Sequence, residues 1–403
     1  MISVSIPTGV ISIGGDAFSQ CSSLVSVVIP TSVTLLGDNA FYQCSSLENA
    51  TIPTSVTSLG NNVFSGTLLS FSVIPSSVKV YKSYMGCPSS AFTIPTQFTS
   101  LGDNAFSECS SLVSVVIPTS VASIGNNAFY ECSSLTSVRI PSGVNSIASN
   151  TFSGCTSLVN VTIPTSVAAI GSYAFYECSS LVSVTIPTSV TAIGNNAFEK
   201  CSSLISVLIP NGVNSIASNT FYDCSSLVNV TIPTSVASIS SYAFYQCSSL
   251  VSVTIPTSVT SIGNNAFAGT LLSLSAIPSS ITVYASFFGC PSSPFVIPSQ
   301  FNSIGESAFS DCSLLTSVII PTNITYISQN AFYQCYSLVE VTIPDTVTFL
   351  GFSAFQSCES LVSVTIPTSI TVIPNNAFQN CYSLTSVTIP DSVKNIGNTY
   401  LTL

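Results

Sequence analysis

Fifteen cysteines are the side chains of this 403-residue chain best suited to redox or metal chemistry, and thirteen of them fall at one position of a repeating unit. Cys87 and Cys290 are displaced from it. None forms a C-x-x-C pair and the chain has no histidine, so the ligand spacing of a zinc site is missing. Cysteines stacked in register would bring neighbouring Cα atoms to about 5 Å, within disulfide range. Parallel side chains and an odd count argue instead for buried free thiols acting as small hydrophobes.

Acid–base and nucleophilic chemistry are as poorly supplied. Without histidine there is no Ser–His or Cys–His dyad, and the commonest acid–base near neutrality is lost. Glu108 and Glu131 lie one unit apart and are expected to stack, as a solvated like-charge pair or a weak cation site. No cofactor and no catalytic site are expected.

The elements that must position these residues are set by the repeat. The dipeptide Ile-Pro recurs from Pro7 to Pro390, mostly 23 residues apart. In the unit LVSVTIPTSVTAIGNNAFEKCSS the apolar positions are Leu181, Val184, Ile186, Val190, Ile193, Ala197, Phe198 and Cys201. Leu181 to Ile186 is short and β-branched, which predicts a strand with Val184 and Ile186 inward and Ser183 and Thr185 outward. Pro187 cannot donate to a ladder and ends it. A second extended piece is expected from Val190 to Ile193. Gly194 and Asn195 then supply turn residues that tolerate positive φ. Asn196 to Cys201 reads as one helical or 3₁₀ turn with Phe198 inward.

One unit cannot bury its own apolar stripe, but units stacked at ~4.8 Å can. The expected fold is therefore a repeat solenoid, a single array over 1–403 of about 17 repeats. A long parallel β-sheet forms one face, with short turns, 3₁₀ segments or second strands on the other. Irregular coils are expected at 64–95 and 267–298, where the Ile-Pro spacing falls to 22 and then 20. They lie 203 residues apart, as do their flanking repeats, which marks a duplicated nine-repeat block.

The run I-P-x-S-V-x-x-I-G-x-x-A-F-x-x-C-S-S-L-x-S-V, as in Ile186 to Val207, resembles the BspA-type leucine-rich repeat. The resemblance implies a right-handed, leucine-rich-repeat-like coil with its parallel sheet on the concave side. It also implies a cell-surface or extracellular protein used in adhesion or protein binding, although no signal peptide or anchor is visible in this sequence. Ser189 stands where the general leucine-rich pattern has asparagine, so the coil corner must be held without an asparagine ladder.

Charged residues make up 5% of the chain, against roughly 25% in an average domain. The formal charge of −10 comes without a basic patch, which excludes nucleic acid as a partner. No apolar run approaches the ~18 residues of a membrane span. What remains is surface. The outward strand positions form a candidate binding face that includes Arg139, Asn160, Thr162, Ser183, Thr185, Asn229, Thr231, Ser252 and Thr254. Tyr130, Tyr176, Tyr222 and Tyr245 form a candidate aromatic stripe beside the inward phenylalanines. The hydroxyl face either keeps a regular sheet soluble or binds a protein or glycan. A regular threonine face is also the arrangement of ice-binding solenoids. The tyrosines serve either edge packing or ligand contact. The expected function is a non-catalytic protein- or glycan-binding or adhesion module. The alternative is a structural spacer or self-assembling solenoid that associates end to end through uncapped coils.

Overall fold

The computed structural model describes residues 3–88 and 90–397. It is a parallel β-solenoid of about 17 turns with almost no helix. Each regular coil carries two short strands, as in Asn160–Thr162 and Ala169–Ile170, and both of these pair in parallel with their counterparts 23 residues on. The second strands expected on the far face are present. The 3₁₀ helices among the described residues, Phe71–Val73 and Leu274–Ala276, lie in the two irregular coils.

The chain divides into two compact units, Met1–Val213 with Thr220–Thr231, and Asn214–Asn219 with Ile232–Leu403. In the first unit a continuous sheet runs through Ser90–Thr93, Leu112–Val116, Ser137–Arg139, Asn160–Thr162, Ser183–Val184, Ser206–Leu208 and Asn229–Thr231. In the second, Phe295–Val296, Ser317–Ile319, Glu340–Thr342, Ser363–Thr365 and Ser386–Thr388 pair in the same way.

All eight apolar positions of the unit Leu181 to Ser203 are buried. The phenylalanines build a column of near-parallel rings, with centroids 5.1 Å apart at Phe106–Phe129, 5.4 Å at Phe152–Phe175 and 5.2 Å at Phe175–Phe198. In the second unit Phe309–Phe332 and Phe332–Phe355 repeat the arrangement at 4.8 and 4.9 Å. Strand pairing imposes a layer spacing near 4.8 Å, which aromatic rings fill without a gap.

The segment after the second strand is not the expected helical turn. Asn196 and Lys200 both take positive φ, +60° and +59°. Two tight turns result, closed by Glu199 N–H on the Asn196 carbonyl and Cys201 N–H on the Phe198 carbonyl. The intervening N–H groups instead leave the coil, Phe198 to the Thr220 carbonyl at 2.9 Å and Lys200 to the Tyr222 carbonyl at 2.7 Å. A 3₁₀ turn would keep these donors inside one coil. Left-handed residues rotate them along the stack, so the ladder continues through the corner. The positive φ expected at Gly194 and Asn195 falls at Asn196 instead. Gly194 has a different reason: a Cβ there would meet the Ser172 backbone nitrogen at 2.5 Å.

Serine holds the corner where asparagine is missing. Ser189 Oγ donates to the Val167 carbonyl of the preceding coil at 2.6 Å, and Ser166 to Val144 at 2.5 Å. The same bond recurs at Ser120–Phe98 and, in the second unit, Ser258–Val236 and Ser369–Val347. The stack thus carries a serine ladder.

Each irregular coil restarts the aromatic column on a tyrosine. Tyr81 stacks on Phe106 at 4.7 Å and Tyr284 on Phe309 at 4.9 Å. The displaced cysteines correct the expectation that every thiol is free. Cys87 bonds Cys109 and Cys290 bonds Cys312, with Cα atoms 5.1 and 5.2 Å apart. At a separation of 22 rather than 23 residues, the paired side chains leave the parallel column and meet. The other eleven cysteines are free thiols, as expected. The end residues 398–403, on which the self-association expectation partly rested, lie outside the described residues.

Two substitutions separate the core from the corner. Phe175→Ala should lower unfolding stability by about 3–5 kcal/mol, because the stacked layers cannot close on the gap. Ser189→Ala should cost about 1 kcal/mol by leaving the Val167 carbonyl unpartnered. Urea titrations of the two variants check both values; equal losses would refute this division of roles.

Candidate functional site

Every residue assigned to the hydroxyl face is exposed. In the first unit, register aligns them in columns. Ser137, Asn160, Ser183, Ser206 and Asn229 succeed one another, as do Arg139 and Thr162, and Leu208 and Thr231. Thr185 is exposed just beyond its strand. Ser252 and Thr254 stand exposed on their own strand in the second unit. The third column is mixed: Arg139 and Leu208, the latter 64% exposed, interrupt the threonines.

The structure adds a column that strand alternation hides. Val113, Val159, Val182 and Ile205 are exposed, Val182 by 40%, with Thr136 among them. Parity with the inward Val184 would place Val182 inside. Instead Leu181 is fully buried and the next side chain turns out, so two inward positions are separated by two outward ones. The ladder reaches this column too, through Val159 N–H on the Thr136 carbonyl and Ile205 N–H on the Val182 carbonyl. The face is therefore three columns wide: β-branched apolar, Ser or Asn, and a Thr-rich edge.

The four tyrosines of the stripe are half-buried at the turns. Two partners escaped the sequence reading, since each replaces the usual left-handed asparagine. Tyr173 packs edge-on against Tyr176 at 5.7 Å in the first unit, and Tyr242 against Tyr245 at 5.5 Å in the second. Near Tyr176 stands the one ion pair among the described residues, Lys200 Nζ to Glu177 Oε1 at 2.7 Å. The Glu177 carboxylate and Tyr176 hydroxyl hold the Lys200 ammonium above its ordinary value, and Lys200 in turn lowers Glu177. Glu108 and Glu131 line an open cavity with Tyr130.

Several of the free cysteines are kept as neutral thiols by burial. Burial pushes Cys132 up to about 12, and Cys155 and Cys178 well above the ordinary thiol value. In the column the Sγ faces a carbonyl of the preceding coil, as Cys178 does at Phe152 and Cys201 at Phe175. Among the described residues no group of three or more His, Cys, Asp or Glu could hold a metal ion, and no helix is long and apolar enough to cross a membrane.

The pattern of the BspA type leucine-rich repeat region (6 copies) matches residues 1–85, 80–204, 168–286 and 284–402. A leucine-rich repeat protein from Bacteroides ovatus is 30% identical with a TM-score of 0.57, over 76% of this chain and 83% of that one. A leucine-rich cell surface protein from Faecalibacterium prausnitzii is 28% identical over 96% of this chain and 87% of its own, with a TM-score of 0.34. A Treponema pallidum leucine-rich repeat protein is 30% identical over 47% of this chain and 78% of its own, with a TM-score of 0.35. No curated protein matches.

The raised thiols set a pH dependence. The fold holds the Cys132 proton more tightly than the unfolded chain does. Its stabilising effect is complete below the ordinary value of 9.0 and is lost as pH rises toward about 12. Buried Tyr81, Tyr84 and Tyr284, raised by the same desolvation, act in the same direction. The urea midpoint should fall steadily once pH exceeds 9.0. A midpoint that stays level there would contradict the closed thiol column.

Proposed function

The chain belongs to the BspA-type leucine-rich repeat proteins, and from that premise we propose that it is a non-catalytic binding module. Its ligand is a protein or glycan that docks on the sheet face of the first unit. The observation that carries this reading is the three-column exposed face, repeated coil after coil by strand register.

The chemistry of that face suits a ligand rather than a reaction. Hydroxyls both donate and accept, so a Ser or Asn column offers adaptable hydrogen bonds at each layer. The Val182 column supplies apolar area beside it. Few charges must be stripped of water when a partner lands, which keeps the desolvation penalty small. The inter-coil ladder fixes the backbone in advance, so little conformational freedom is lost on docking. Cell-surface or extracellular placement forms part of the same proposal, and the two disulfides fit an oxidising compartment.

The test is surface plasmon resonance of the full chain against panels of extracellular matrix proteins and polysaccharides. Val182→Asp and Ser183→Asp place charge on two adjacent columns of exposed side chains. They should weaken a bound ligand by about tenfold or more while shifting stability by no more than about 0.5 kcal/mol. A ligand that binds both variants as well as the parent chain would remove the sheet face as its site.

A further inference from the structure

Lys200 shows how this chain holds an ammonium group. Its Nζ donates to Glu177 Oε1 at 2.7 Å and to the Tyr176 hydroxyl oxygen at 2.8 Å, and lies 5.0 Å from the centre of the Tyr176 ring. Carboxylate, phenol oxygen and ring face thus act together on one cation. The arrangement follows from repeat positions. Lys200 stands 23 residues after Glu177, at the same place in the next coil.

Tyr130 and Glu131 reproduce the Tyr176–Glu177 pair 46 residues earlier, two coils back. The backbones agree: Glu131 and Glu177 take φ of +54° and +56°. Each also donates its N–H to the next coil, Glu131 to the Ser153 carbonyl at 2.7 Å and Glu177 to the Glu199 carbonyl at 2.9 Å. In both pairs the carboxylate follows its tyrosine directly, and each acts on its neighbour's titration: Glu131 raises Tyr130, and Tyr176 lowers Glu177. The position that supplies Lys200 to the later pair holds Gly154 here. The place taken by the lysine side chain is therefore open, a cavity of 440 Å³ bounded by Glu108, Tyr130, Glu131, Gly154, Tyr176 and Glu177.

The charge around this cavity is uncompensated on one side. Glu177 is paired with Lys200, whereas neither Glu108 nor Glu131 has a cation within ion-pair distance among the described residues. The Tyr130 hydroxyl is raised chiefly by the adjacent Glu131 carboxylate, with Glu108 and Glu177 adding to it. It therefore stays a neutral phenol whose oxygen can accept, as that of Tyr176 does. The donor set also selects the kind of cation. Among the described residues no three carboxylates converge as a calcium site would need, whereas a phenol and a ring face suit an alkylammonium.

We propose that the Tyr130–Glu131 cavity binds a primary alkylammonium group, carried by a free linear polyamine or by an exposed lysine side chain of a partner. The alkyl stem would pass over Gly154, where this chain has no side chain of its own.

Isothermal titration of the full chain at neutral pH with putrescine, with an Nα-acetyl-lysine amide and with calcium chloride tests the assignment. At least one amine should bind saturably at millimolar concentration or below. Glu131→Gln should weaken it by about tenfold or more with an unchanged circular dichroism spectrum. Gly154→Lys should abolish it by filling the seat from within, as Lys200 does. Positive φ with a side chain is already accommodated at this repeat position by Glu131, Glu177 and Lys200. If Gly154→Lys fails to fold, Glu131→Gln and Tyr130→Phe decide the matter. Binding of putrescine alone assigns the seat to free amines, and binding of the lysine amide alone assigns it to a protein-borne lysine. No saturable amine binding, equal affinity in Glu131→Gln, or calcium binding in place of amine binding would overturn the proposal.

Discussion

Backbone hydrogen bonds between successive coils are the constraint on which the rest of this structure depends. In the second strands the donors point backward, as from Thr191 to the Ala168 carbonyl and from Gly194 to Ile170. At the turns they point forward, as from Phe198 to Thr220. Buried backbone groups must be paired, and a stack of coils pairs them only if every coil presents the same groups at the same height. That demand sets the prevailing length of 23 residues. It accounts for the left-handed residues at Asn196 and Lys200, and for glycine where two coils approach too closely for a Cβ. It also places each serine of the corner under the carbonyl it caps.

Side-chain packing follows from the same spacing. Layers near 4.8 Å apart leave room for one aromatic ring per coil, and Phe106, Phe129, Phe152 and Phe175 fill it with nearly parallel planes. Where the coil length departs from the period, the column of parallel rings stops at Phe64 and Phe267 and restarts on a tyrosine. Tyr81 and Tyr284, at the inward position of the second strand, stack on the phenylalanine of the next coil, and a disulfide ties each shortened coil to that coil. Cysteine therefore has two roles in one chain. In most coils it is a small buried filler, and where Cys87 and Cys290 leave the register they crosslink to the in-register cysteine of the next coil.

A surface built in this way repeats by necessity, so its informative features are the departures from repetition. Glycine at 154 in place of a side chain opens a cavity between two Tyr–Glu pairs, and Lys200 closes the corresponding place two coils on. Arg139 and Leu208 interrupt a column of threonines. A strictly periodic array would offer any ligand many equivalent seats. The exceptions give it a preferred one.

The repeat, the parallel stack, the inward set Leu181, Val184, Ile186, Val190, Ile193, Ala197, Phe198 and Cys201, and the two irregular coils are all legible from residue spacing. The reason is that apolar burial repeats with the chain and leaves a one-dimensional record. The exposed Ser, Thr and Asn positions were legible for the same reason. Three features needed the folded chain. Val182 faces outward although its parity with Val184 points inward, because the strand begins with a corner that no alternation rule describes. The turn from Asn196 to Cys201 is not helical, because its donors are claimed by the next coil rather than by their own. The disulfides and the cavity beside Gly154 depend on what a side chain meets one coil away, 22 or 23 residues distant. Local sequence determines which residues turn inward; only stacking decides which ones meet.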